Sequence, residues 1–222
     1  MLFRSDPAIR VIVLSGAGDK AFVSGGDISK FEGQRSTPEQ IAEYDRKRQR
    51  FRSVLHDVGK PTIAMIRGYC LGGGMAIALN CDMRFCSEDA KFGVPAARLS
   101  IGYAAEGLAQ LLALTGPALA KQIMFTGARY DARTALRMGL VNDVYPAAEL
   151  EQKVNELCEV IANNAPLSIL SSKRVLDELV KDADKRELAL CQKVVADCFA
   201  SQDYIEGRRA FMEKRRPVFT GK

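Results

Sequence analysis

Two glycine-rich stretches hold most of the chemistry open to this chain. Residues 21–31 read AFVSGGDISKF and follow the β-branched run RVIVLSG at 10–16. Residues 68–85 read GYCLGGGMAIALNCDMRF, in which Gly72, Gly73 and Gly74 lead from a strand into an apolar helix. Glycine is the default residue where a ligand comes up against backbone. Neither stretch has the G-x-x-x-x-G-K-[ST] or G-x-G-x-x-G spacing of the common phosphate loops, so a nucleotide site is disfavoured. What both offer is backbone N–H. A helix amino terminus carries unpaired amides and partial positive charge, within reach of a ligand oxygen. If the two turns converge, one amide from each can point at the same oxygen. Such an oxyanion hole suits a carbonyl turning into an enolate or a tetrahedral oxyanion, and each donor is worth ~10²–10³ in rate. The visitor expected at Gly26 is then a carbonyl oxygen. Tight helix–strand packing is the competing use of the same glycines.

Other chemistries have fewer residues to draw on. His56 is the only histidine, which argues against a Ser-His triad or a histidine-rich metal site. Six cysteines (Cys70, Cys81, Cys86, Cys158, Cys191, Cys198) form no C-x-x-C pair, and four lie inside apolar patterns. Buried, reduced thiols and a cytoplasmic location are the expectation. The net charge of +5 is spread among acids; the densest basic run, YDRKRQRFR at 44–52, has helical apolar spacing and reads as a solvated face. No nucleic-acid partner is expected. No signal peptide and no run of 18 apolar residues is evident, so no membrane partner is expected either.

The glycine turns need strands and helices to hold them. RVIVLSG (10–16), PTIAMIRGYC (61–70) and DMRFCSE (82–88) read as buried strands. Between the first two, Ile41, Tyr44, Phe51, Val54, Leu55 and Val58 recur at helical spacing, with Thr37 and Pro38 as cap and first-turn proline. GGGMAIALN (72–80) reads as a helix. AEGLAQLLALTG, PALAKQIMFTG and DARTALRMGLVN read as short helices closed by glycine. From Ala147 the pattern is helical throughout, over 147–163, 167–182, 185–200 and 203–215. The fold class is therefore α/β, with a β/α core at 1–146 and a helical region at 147–222 that packs on the core or on another subunit.

AFVSGGDISKF, GYCLGGGMAIALNCDMRF, KFGVPAARLSIGY, FTGARYDARTALRMGLVNDV and EGRRAFMEKRRPVF resemble consecutive blocks of the crotonase (enoyl-CoA hydratase/isomerase) superfamily. The resemblance spans nearly the whole chain, in order. It implies a superhelix of β/α units, a carboxy-terminal helical oligomerisation region giving a homotrimer or dimer of trimers, and an acyl-CoA thioester substrate. Coenzyme A would then enter as part of the substrate, with no permanently bound cofactor and no metal. By the same resemblance, Gly26 and Gly73 supply the oxyanion amides. Ser24, Asp27 and Ile28 fall in the block at the coenzyme A site, and Phe211 and Lys214 match a carboxy-terminal aromatic and lysine that contact coenzyme A. Family members usually begin with a further strand and an R-P-x-x-x-N-A-like segment, so an amino-terminally truncated member is expected.

The resemblance also places the two glutamates that activate water in the family's hydratases. Those positions are Ala76 and Ala96 here, and alanine moves no proton. Arg98, Ser100, Tyr103 and Glu106 are the polar groups that remain in the adjoining segment ARLSIGYAAEG. That segment resembles the family's methylmalonyl-CoA decarboxylase, in which Tyr103 matches an active-site tyrosine. Two further readings therefore stand beside a hydratase or isomerase. One is a decarboxylase or thioester hydrolase using Tyr103; the other is a catalytically silent acyl-CoA-binding protein.

Overall fold

The computed structural model of the protein describes residues 2–27, 33 and 36–222. In chain order the first elements are helix α1 (Leu2–Ser5), strands β1 (Ile12–Ser15) and β2 (Ala21–Val23), and helix α2 (Pro38–Asp57). Strands β3 (Thr62–Ile66) and β4 (Tyr69–Leu71), helix α3 (Gly73–Leu79), and strands β5 (Met83–Ser87) and β6 (Lys91–Gly93) follow. Next come α4 (Ala105–Thr126), β7 (Tyr130–Asp131), α5 (Ala132–Arg137) and β8 (Asp143–Tyr145). Helices α6 (Leu150–Ala162), α7 (Pro166–Leu179), α8 (Leu188–Phe199) and α9 (Gln202–Met212) complete the chain.

The strands form two four-stranded sheets, ordered β1-β3-β5-β8 and β2-β4-β6-β7. Pairs β3–β5, β5–β8, β2–β4 and β4–β6 are parallel, and β6–β7 is antiparallel. Strands β1 to β6 thus alternate between the sheets, as in a superhelix of β/α units, and β7 stays in the sheet of β6. Parallel neighbours covered by helices bury both faces, and all five residues of β3 are buried.

The run expected as one strand over 61–70 is two strands in different sheets. Gly68 makes the break with φ +58, a conformation that suits glycine. A Cβ there would stand 2.1 Å from the Lys20 carbonyl oxygen. The two expected helices at 105–116 and 117–127 are both present as the halves of α4, separated by a kink at Gly116 (φ 73, ψ 170) ahead of Pro117. By length and composition alone α4 would pass for a membrane span. The break at Gly116 leaves neither half near the roughly 20 residues that a hydrocarbon core requires.

The chain divides into two compact units. The larger, Val13–Asp57 with Thr62–Val154, contains strands β2–β8 and three residues of β1. Its core includes Ile66, Cys70, Met75, Leu79, Phe92 and Leu111, all nearly inaccessible. Burial in this core pushes the Cys86 thiol up to about 12, so it stays protonated and inert. The other unit joins the segment ending at Ile12 to Val58–Pro61 and Asn155–Lys222. In it α7 packs on α8. Asp203, 4% exposed, accepts hydrogen bonds from the amides of Thr220 (2.7 Å) and Gly221 (2.8 Å), fixing the carboxy-terminal strand of chain beside α9. All six cysteines are free.

Candidate active site

The three glycines at the start of α3 have three separate reasons to be glycine. Gly72 takes φ 52 and ψ −109 while its N–H donates to the Gly93 carbonyl at 2.8 Å. Gly74 lies against β2 so closely that a Cβ would stand 2.0 Å from the Val23 carbonyl oxygen. Together they seat the amino end of α3 between β2 and β6. Gly73, between them, is under no such constraint: a Cβ on it would make ordinary contacts, 3.9 Å from the Gly26 nitrogen and 4.0 Å from the Gly25 Cα. After β2 the chain turns through Gly25 at φ 113. The two glycine turns therefore meet, with the amide of Gly26 beside Gly73. As the first helical residue, Gly73 has no carbonyl one turn back in its own helix to accept its N–H.

The meeting point opens into a cavity of about 720 Å³. Val23, Gly25, Gly26, Gly73, Ala76 and Ile77 line it, together with a stripe of α2. That stripe runs Glu39, Glu43, Lys47 and Phe51 at i, i+4 spacing, with Gln40 and Tyr44 beside it. The start of α2 is a capping box. The Gln40 amide donates to the Thr37 hydroxyl (3.3 Å), and the Gln40 side chain accepts from the amides of Ser36 (2.9 Å) and Thr37 (3.3 Å). Glu39 is held below the ordinary glutamate range by its own backbone amide first and the Thr37 hydroxyl second. Glu43 is held low by hydrogen bonds from Arg46 (Nη2 at 2.6 Å and Nε at 3.0 Å), then by the charges of Arg46 and Lys47. Lys47 Nζ lies 3.5 Å from Glu43 Oε1. Both carboxylates are ionised at neutral pH.

Gly26 and Gly73 are brought together and Ala76 borders the same cavity; none of the other described residues singled out for the site in this unit lines it. Ser24 and Asp27 flank the turn, exposed, and do not line the cavity. Ile28 lies outside the described residues. Ala76 borders the cavity, its carbonyl accepting from the Asn80 side chain at 2.6 Å. Ala96 is 4% exposed, packed in the core within the 3₁₀ turn Pro95–Arg98, and does not line the cavity. Tyr103 is half-buried against the core and is not a lining residue. Arg98 is exposed and runs past Gly127, its Cγ 3.2 Å from where a Cβ would be. Glu106 is exposed in the first turn of α4, and Ser100 sits at φ 51. Phe211 and Lys214 belong to the other unit. Phe211 is 82% exposed beside a cavity of that unit, and Lys214, at φ 54, donates its amide to the Phe211 carbonyl.

Sequence reasoning did not find the α2 wall. Ile41, Tyr44, Phe51, Val54, Leu55 and Val58 recur at helical spacing, yet of these only Leu55 and Val58 are buried. Ile41 (47% exposed) and Phe51 (41%) are not core residues, and Phe51 borders the cavity. The available signal was Glu39 and Glu43 at i, i+4, two like charges that repel on a helix face and so ask for another use. Among the described residues, no group of three or more His, Cys, Asp or Glu is placed to hold a metal ion.

Comparison with known proteins agrees with this architecture. The sequence profile described as enoyl-CoA hydratase/isomerase matches residues 2–222. A crotonyl-CoA hydratase of Syntrophomonas wolfei is 35% identical over 217 residues, covering 98% of this chain and 83% of that protein. A carnitinyl-CoA dehydratase of Proteus mirabilis is 36% identical over 226 residues, covering 100% of this chain and 85% of its own. An enoyl-CoA hydratase/carnitine racemase structure from Magnetospirillum magneticum superposes with a TM-score of 0.92 at 34% identity. It covers 99% of this chain and 82% of that one. With family profile, relatives and fold in agreement along its length, the chain belongs to the enoyl-CoA hydratase/isomerase family, within the crotonase superfamily.

Proposed function

We propose that this protein is an acyl-CoA enzyme that holds a thioester carbonyl oxygen between the amides of Gly26 and Gly73 and stabilises it as an enolate oxyanion. The observation that carries the reading is the contact of the two glycine turns at the edge of a cavity large enough for a short acyl group. The relatives' names point to short-chain thioesters: crotonyl-CoA and carnitinyl-CoA. Charge building on the oxygen is met by fixed backbone dipoles, which need no reorganisation as the reaction proceeds. The reaction class that follows is lyase or isomerase chemistry through an enolate, with coenzyme A present only as part of the substrate. Ser24, Asp27, Ile28, Phe211 and Lys214 are proposed to contact its coenzyme A portion.

Ala76 and Ala96 set the expected activity. Crotonyl-CoA should bind, as read by titration calorimetry, while ATP and NAD should not. Its hydration should be slow, because each missing acid–base group is worth ~10²–10⁴. Ala76→Glu should raise hydration, since the new carboxylate enters the cavity. Ala96→Glu should instead destabilise the protein by placing a carboxylate in the core. ATP binding without thioester binding, or an unmodified protein that hydrates as fast as its Glu-bearing variant, would overturn the reading.

The assembly proposed is a trimer or a dimer of trimers. Phe199, Ile205, Phe211 and Met212 on α8 and α9 are more than half exposed, which a helical region burying itself in another subunit would account for. Light scattering should give a mass that is a multiple of three chains; a stable, active monomer would refute it.

A further inference from the structure

We propose that Glu43, on α2, is the proton acceptor of this site and takes the role left vacant at Ala76 and Ala96. The proposal rests on the thioester reading above. From a saturated or β,γ-unsaturated thioester, an enolate forms by breaking the C–H bond beside the carbonyl. Its electron pair moves into the Cα–C1 bond, the carbonyl π pair moves onto the oxygen held at Gly26 and Gly73, and the proton must go to a base. Among the described residues lining the cavity, the ionisable side chains are Glu39, Glu43, Tyr44 and Lys47. An ammonium has only donors to offer, and a phenol hydroxyl is a far weaker acceptor than a carboxylate. That leaves the two glutamates.

The two have different surroundings. Glu39 sits in the first turn of α2, where its carboxylate is engaged by its own amide and the Thr37 hydroxyl. It serves the helix start, as an acid there does on any helix. Glu43 lies one turn further on, clear of the helix terminus, and its partners are the long side chains of Arg46 and Lys47, both largely exposed. Ion pairs of that kind are worth little and are readily exchanged. Arg46 and Lys47 keep Glu43 ionised, and so able to accept. With a substrate in the cavity the carboxylate can swing from them to the α-carbon. The neutral acid then returns a proton to the same carbon, or to the γ-carbon of an unsaturated acyl chain, which completes an isomerisation.

The test uses the full chain and butyryl-CoA, a saturated thioester that cannot be hydrated. In D₂O, proton NMR follows exchange of its α-CH₂ protons, and calorimetry measures its binding. The unmodified protein should bind and exchange. Glu43→Gln should bind within about twofold of the unmodified protein and lose exchange by ~10²–10⁴, the range for a general base. Glu43→Asp should recover part of it, which a structural role would not require. Exchange by Glu43→Gln at the original rate, or binding by the unmodified protein without exchange, overturns the proposal while the thioester reading stands. Failure of the unmodified protein to bind butyryl-CoA overturns both.

Discussion

Gly73→Pro is expected to lower acyl-CoA turnover by ~10²–10³, the usual effect of deleting one oxyanion donor. Gly73→Ala, which keeps the N–H, should retain most of it. The structure makes this pair of substitutions unusually clean. Gly73 opens α3, the helix position where proline is best tolerated because its missing N–H bonds nothing within the helix. The residue ahead, Gly72 at φ 52 and ψ −109, lies outside the α region that a following proline disfavours. A Cβ at position 73 meets nothing nearer than 3.9 Å. Both variants should therefore fold, and both add bulk beside Gly26, so the difference between them reports the N–H. The measurement is kcat on the thioester that the unmodified protein turns over fastest. Equal rates for the two variants would remove the Gly73 amide from the mechanism.

Gly74→Ala, one residue along, should act on the fold. Its Cβ would stand 2.0 Å from the Val23 carbonyl oxygen and 2.9 Å from the carbonyl carbon, both backbone atoms that cannot turn aside. Relief requires α3 to lift from β2. Overpacking typically costs ~1–3 kcal/mol even where side chains can adjust, so this substitution should sit at or above the top of that range. Because α3 carries Gly73, the displacement should also abolish thioester binding. Urea denaturation read by circular dichroism, with calorimetry for binding, checks both. An unchanged midpoint would mean that α3 is not seated on β2 as described.

The parts of the fold that could be read from sequence are those with enough residues to show a period. Helices α2 and α6–α9 have repeated apolar positions, and their bounds lie close to those expected. Strands β2, β6, β7 and β8 are two or three residues long, too short to carry an alternation. Splitting 61–70 between two sheets depends on Gly68 meeting the Lys20 carbonyl, a contact with a residue 48 positions earlier that no local pattern contains. The site divides in the same way. Gly26 and Gly73 stand out because glycine clusters at strand ends are local features. The α2 wall was not legible, since Phe51 and Tyr44 have helical spacing whether they face a core or a cavity. Ala76 and Ala96 look equivalent as substitutions, yet one borders the cavity and the other is packed in the core, a difference set entirely by tertiary structure.

The unequal freedom of neighbouring positions also bears on how such a chain can change its trade. Gly72 and Gly74 are locked by backbone geometry, so exchanging them disturbs the frame itself. Position 76 borders open volume, as do 39, 43 and 47 on α2. A single codon change there can add or delete an ionisable group without moving the two glycine turns. A library randomised at those four positions would sample reactions on an unchanged scaffold, whereas one randomised at 72 and 74 would return mostly chains that never assemble a pocket.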